Sequence, residues 1–104
     1  MNVVLLDQVK TYISGLSSEA ERSQIEQYLE RQQDLRFIIR EPVSKPLGGG
    51  IYEIRPGPHR LLFVFLQGHI VVVHAFRKKT RTTPPAEISR AERTKYRYMR
   101  GEIK

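Results

Sequence analysis

The apolar positions of the chain change their period several times. Val3 to Leu6 are consecutive apolar residues and read as a short edge strand. Val9, Tyr12, Ile13 and Leu16 then recur at helical spacing, with Asp7 placed to cap the start and Gly15 and Leu16 closing the end. Ser18 followed by Glu21 is a capping-box signature for a second helix. Its apolar stripe is Ile25, Tyr28 and Leu29, continuing to Leu35. A link this short predicts an antiparallel helical pair. The pattern lapses over residues 36–50, where Pro42, Pro46 and Gly48-Gly49-Gly50 predict a connection, with a short strand at 37–40. Strands are then expected over 51–56, 60–66 and 69–76. The turns between them, Gly57-Pro58-His59 and Gln67-Gly68, are short, so the pairing is antiparallel. The middle strand is apolar throughout Leu61–Leu66, so it belongs at the sheet centre, covered on both faces. Thr83 and Pro84 predict the start of a last helix, with a hydroxyl N-cap and Pro at the first helical position. Ile88, Ala91 and Tyr98 are its docking residues. The expected fold is α+β, one domain over residues 1–104. A small antiparallel sheet of three to four strands is packed by an N-terminal helical hairpin and a C-terminal helix.

Composition narrows the chemistry. The 104 residues include no cysteine, so a disulfide, a thiolate metal site and a Cys nucleophile are all excluded. The longest apolar runs, Leu61–Leu66 and Ile70–Val73, are too short to span a bilayer, and the first residues lack the basic region of a signal peptide. A cytoplasmic protein without a membrane partner is expected. Charge is distributed unevenly. Residues 1–76 hold eight Lys/Arg and eight Asp/Glu, whereas residues 77–104 hold ten and three. The whole net charge of +7 therefore lies in the last quarter, which points to a polyanionic partner such as nucleic acid.

The strongest cluster is HAFRKKTRTTPP, residues 74–85, with Arg77, Lys78, Lys79 and Arg81 following an apolar strand. Hairpin topology sets that strand end beside Arg60. Arg55, on the preceding strand, lies across the turn from Arg60. Two neighbouring guanidiniums repel unless an anion bridges them, or unless Glu53 pairs with one. Arg55, Arg60, Arg77, Lys78 and Lys79 can thus converge on one phosphate-binding patch. His59, in the turn, is expected to be exposed and placed to act, whereas His74 is expected to be half-buried. Three histidines without ligand spacing or an acidic cluster give no metal site. The triple glycine lacks a following Lys-Ser/Thr pair, so it is not a P-loop. Arg93 and Tyr96 in the last helix are expected to contact RNA, and Tyr98 to pack on the sheet.

GIYEIRPGPHRLLFVF (residues 50–65) and GHIVVVHAFRKKTRTTPPAEISRA (residues 68–91) resemble the phage-derived, HigB-like branch of the RelE/ParE toxin superfamily. The resemblance implies a RelE-like fold and the toxin of a type II toxin–antitoxin pair. It implies a ribosome-dependent mRNA endoribonuclease in which the RNA 2′-hydroxyl attacks the next phosphate, with no metal and no other cofactor. By position, Arg60 corresponds to the usual phosphate binder, Arg55 to the strand-end arginine, and Lys78 and Lys79 to the basic pair. Arg77, Arg81, His59, Tyr96 and Arg93 would hold RNA. The chain departs from the best-known ribosomal toxins at Ile51 and Glu53, where they carry lysines. Lys78 or Lys79 is then the first candidate for general base, ahead of His59 and Glu53. The implied partners are mRNA on the ribosome and a cognate antitoxin, often a helix-turn-helix protein. Two alternatives keep the fold: a non-cleaving toxin acting on DNA gyrase, and an inactive phage-derived module that binds RNA or protein.

Overall fold

The computed structural model describes residues 2–31 and 45–104. Within them the elements run β1 (Asn2–Leu5), α1 (Asp7–Ser14), α2 (Glu19–Arg31), β2 (Lys45–Gly48), β3 (Ile51–Ile54), β4 (His59–Leu66), β5 (His69–Arg77) and α3 (Pro85–Met99). The strands form one sheet of order β1-β5-β4-β3-β2, so the apolar β4 is central, as its sequence requires. Residues 37–40 and Leu35 lie outside the described residues.

Alternation along β4 and its neighbours divides the core into two layers. On one face Ile54, Leu61, Phe63, Ile70 and Val72 pack with Val9 of α1 and Ile25 of α2. On the other, Ile51, Leu62, Val64, Val71 and Val73 pack with Leu6 and with Ala91 of α3, and Ile88 and Tyr98 close over them. Each such side chain, fully buried, contributes about 1.5–3 kcal/mol of transfer free energy. The helical hairpin therefore covers one face and α3 the other.

A β-bulge sets which residues of β5 meet which layer. The pairing steps from Leu62–His74 to Phe63–Val72, leaving Val73 as the extra residue. Val73 and His74 consequently turn to the same side, toward α3. Ala75 and Arg77 turn to the helical hairpin. The Val73 carbonyl, displaced from the ladder, accepts a hydrogen bond from Gln8 Nε2 at 2.7 Å.

Several expectations need correction. The sheet is mixed, because β1 pairs parallel to β5. Lys45–Gly48, expected to be a connection, is an antiparallel edge strand on β3. Its edge position tolerates Pro46, and Gly48, Gly49 and Gly50, all at positive φ, turn the backbone into β3. Asp7 does not cap α1; Leu6 occupies the cap position, and the Asp7 amide donates to the Lys104 carbonyl at 2.8 Å. Nor does Thr83 cap the last helix, which begins a residue later than expected, at Pro85 with Pro84 as its cap. No helix among the described residues is long and apolar enough to cross a membrane.

Candidate functional site

The β3–β4 turn places two arginines close together. Arg60 projects from β4 on the α3 side and is only 8% exposed. Its Nη1 donates to the carbonyls of Gly57 at 2.9 Å and His59 at 2.7 Å. Burial holds its pKa below the ordinary guanidinium value, and the nearby Arg55 charge acts in the same direction. Arg55 donates from Nε to Glu53 Oε1 at 2.7 Å. Glu53 is fully buried, and its other oxygen accepts a hydrogen bond from the Thr83 hydroxyl. A buried carboxylate is costly unless it is paired and hydrogen-bonded. Here it is both, and the pairing ties the end of β3 to the residues that lead into α3. The Arg55–Glu53 pair considered from sequence thus forms, while Arg60 stays beside Arg55 with its own electrostatic cost.

The basic segment after β5 rises over this floor. The Lys78 amide donates to the Pro58 carbonyl at 2.8 Å, and Thr80 Oγ1 donates to the Thr82 carbonyl at 2.7 Å. These bonds fold the segment over the start of β4. Arg60, Phe76, Lys78, Lys79, Arg81 and Thr83 line one depression. Lys78, Lys79 and Arg81 are exposed and have no acidic partner among the described residues.

His59 faces the opposite way. It is fully buried, contrary to the expectation from its place in a turn. Nε2 lies 2.5 Å from Glu21 Oε1, and Nδ1 lies 2.8 Å from the Tyr12 hydroxyl. A carboxylate only accepts, so Nε2–H donates to Glu21, and Nδ1 is hydrogen-bonded with the Tyr12 hydroxyl. Arg77 Nη2 donates to the same Glu21 oxygen at 3.0 Å. The His59 hydrogen bond holds the Glu21 carboxyl below its usual value, and Arg77 reinforces it. Burial raises the Tyr12 phenol, against the pull of Arg77. With both ring nitrogens engaged, His59 braces the hairpin against the sheet and offers no free base. Glu53 is likewise committed to Arg55 and Thr83.

Arg93 and Tyr96 are exposed on α3, away from the depression, with Lys95 Nζ 5.4 Å from the Tyr96 ring centroid. Tyr98 packs against the sheet, as expected. His74 is half-buried, stacks on Phe76 and contacts Glu87 at 3.2 Å, and Glu87 also accepts from Arg90. No group of His, Cys, Asp or Glu among the described residues can hold a metal ion. The structure therefore gathers Arg55, Arg60, Lys78, Lys79 and Arg81 at one end of the sheet. It turns Arg77 and His59 toward α2, and it leaves Arg93 and Tyr96 on the helix. Sequence reasoning missed the anchoring roles of Tyr12, Glu21 and Thr83. The signal for Glu53 was present: a charged residue alternating with Ile51 on a face due to be buried.

A buried guanidinium beneath exposed lysines, on a mixed sheet packed between a helical hairpin and a closing helix, defines an α+β protein with a cationic end. The family model described as "Phage derived protein Gp49-like (DUF891)" matches residues 11–96. The chain belongs to this family, which is a RelE/ParE-like toxin family. No match to a curated protein was found.

Proposed function

We propose that the protein is the toxin of a type II toxin–antitoxin system, of the HigB-like branch, and that it cuts mRNA on the ribosome. The observation that carries this reading is Arg60, buried beside Arg55 at the floor of a depression walled by exposed Lys78, Lys79 and Arg81. Glu53 offsets the Arg55 charge, and the cations of Arg60, Lys78, Lys79 and Arg81 that remain around the depression suit a phosphodiester. In the reaction the 2′-hydroxyl attacks the adjacent phosphorus, the bond to the 5′ oxygen breaks, that oxygen takes a proton from water, and a 2′,3′-cyclic phosphate and a 5′-hydroxyl result. Arg60 and Arg55 stabilise the added negative charge of the phosphorane. Lys78 or Lys79, exposed at the wall of the depression, takes the 2′ proton. Arg81 holds the flanking phosphate. A small antitoxin covers this cationic end when the toxin is held inactive.

Arg60→Lys keeps the charge and loses the planar fork. Inducing wild-type and variant proteins and mapping mRNA 5′ ends tests the assignment. The expected result is a loss of cleavage of about 10²–10³-fold, the usual cost of one transition-state donor, with the thermal melt retained. Unchanged cleavage sinks the assignment. Gyrase inhibition with intact mRNA replaces the reading with the alternative target.

A further inference from the structure

The basic residues of α3 take no part in the depression, yet they are not scattered. Arg90, Arg93, Arg97 and Arg100 follow one another at i, i+3, i+7 and i+10 and are all exposed. At 100° and 1.5 Å per residue they fall within an arc of about 80° and span about 15 Å. Two carboxylates serve the four: Glu87 accepts from Arg90, and Glu102 is shared by Arg97 and Arg100. Arg93 has no acidic partner among the described residues. The opposite face of the helix is held to the sheet by Ile88, Ala91 and Tyr98, which fixes the backbone that carries Arg90, Arg93 and Arg97, and Arg100 follows at the C-cap.

We propose that this arginine row is a docking surface for duplex RNA, separate from the depression that takes a single strand. Three observations select that occupant. A fixed line of guanidiniums suits a fixed array of phosphates, and arginine binds phosphate bidentately. A protein partner needs an apolar centre, whereas the row itself is made of guanidiniums, with the exposed Tyr96 ring at its edge near Lys95. A membrane-surface helix inserts its apolar face, and that face of α3 is already packed. The choice of RNA over DNA rests on the proposed function, because the helix that carries the row starts at the rim of the depression, where Pro84 is both lining residue and N-cap.

The test is binding of purified chain to a blunt RNA duplex of about 16 base pairs, the span of a double-stranded RNA module. The DNA duplex of the same sequence, a short single strand, polyglutamate and anionic vesicles are run in parallel. For the double variant Arg93→Ala/Arg97→Ala, duplex affinity is expected to fall at least about tenfold, with the salt slope reduced by roughly 2. Affinity for the single strand is expected to stay within about twofold, since it engages other residues. Duplex affinity unchanged in the variant overturns the proposal. So does tighter binding to polyglutamate or vesicles than to the duplex. Equal, row-dependent binding to DNA overturns the assignment to RNA. If the wild-type protein cuts no mRNA but its duplex affinity depends on the row, the nuclease reading fails and the docking surface stands.

Discussion

Glu53 organises the cationic end of a chain whose net charge is +7. It has no solvent exposure, orients Arg55 and holds Thr83. A carboxylate accepts from both donors, whereas an amide presents one acceptor and one donor. The Thr83 hydroxyl can also accept, so Glu53→Gln keeps both hydrogen bonds available but removes the buried charge that pairs with Arg55. The expected cost is about 1–3 kcal/mol, read from urea denaturation, and an unshifted midpoint would show that the carboxylate anchors nothing. At this scale the sequence was readable where chemistry repeats locally. Arg55 and Arg60 are five positions apart across one turn, and their juxtaposition follows from hairpin geometry. His59 was not readable. A turn residue is ordinarily exposed, and its cover comes from Glu21 and Tyr12, 38 and 47 positions away.

Elements were legible by period, and less so by their ends. The order of strands and helices follows from apolar spacing, and β4 is central because no position from Leu61 to Val64 is exposed. The Thr83 cap was misassigned because a polar side chain that fits a local cap is also free to serve a distant partner. Thr83 spends its hydroxyl on Glu53. Ser18 does receive the Glu21 amide at 3.2 Å, but the Glu21 carboxylate goes to His59 and Arg77 rather than back to the cap. β2 was hidden because Pro46 and three glycines argue against a strand. The bulge was hidden because an extra residue leaves the composition of β5 unchanged. That bulge depends on Gln8, the donor to the Val73 carbonyl. Gln8→Ala is expected to lower stability by about 1 kcal/mol, seen as a reduced thermal midpoint. A midpoint equal to wild type would mean that the carbonyl is satisfied without Gln8.

For the molecule as a whole, charge and acidity are coupled through Glu21. Its carboxyl is held below the ordinary value of 4.5, first by His59 and then by Arg77. A group with a lowered folded pKa adds stability that is complete above its unfolded pKa and is lost as pH falls through the folded one. Wild-type protein and Glu21→Gln should therefore differ most near neutrality and converge on acidification below about 4.5. Denaturant curves at neutral and acid pH check this, and a constant difference between the two proteins would remove Glu21 from the account. The segregation of charge into the last quarter was legible at once, because net charge needs no fold. Its division between a depression and a helix face was not, because that depends on which side of the sheet each element covers.

The parallel pair of β1 and β5 has a consequence for the order in which the chain takes shape. Asn2 meets His69 and Leu5 meets Val72. Closing a loop of that length costs on the order of 4 kcal/mol of chain entropy beyond the fixed term. The β4–β5 hairpin closes over a short turn and has no such handicap, so it is the natural nucleus. As the polypeptide is synthesised, β1 emerges first and finds its neighbour late. Its apolar residues wait unpaired until a hairpin made some sixty-five residues afterwards supplies an edge. The strand that begins the sequence is thus a late piece of the sheet.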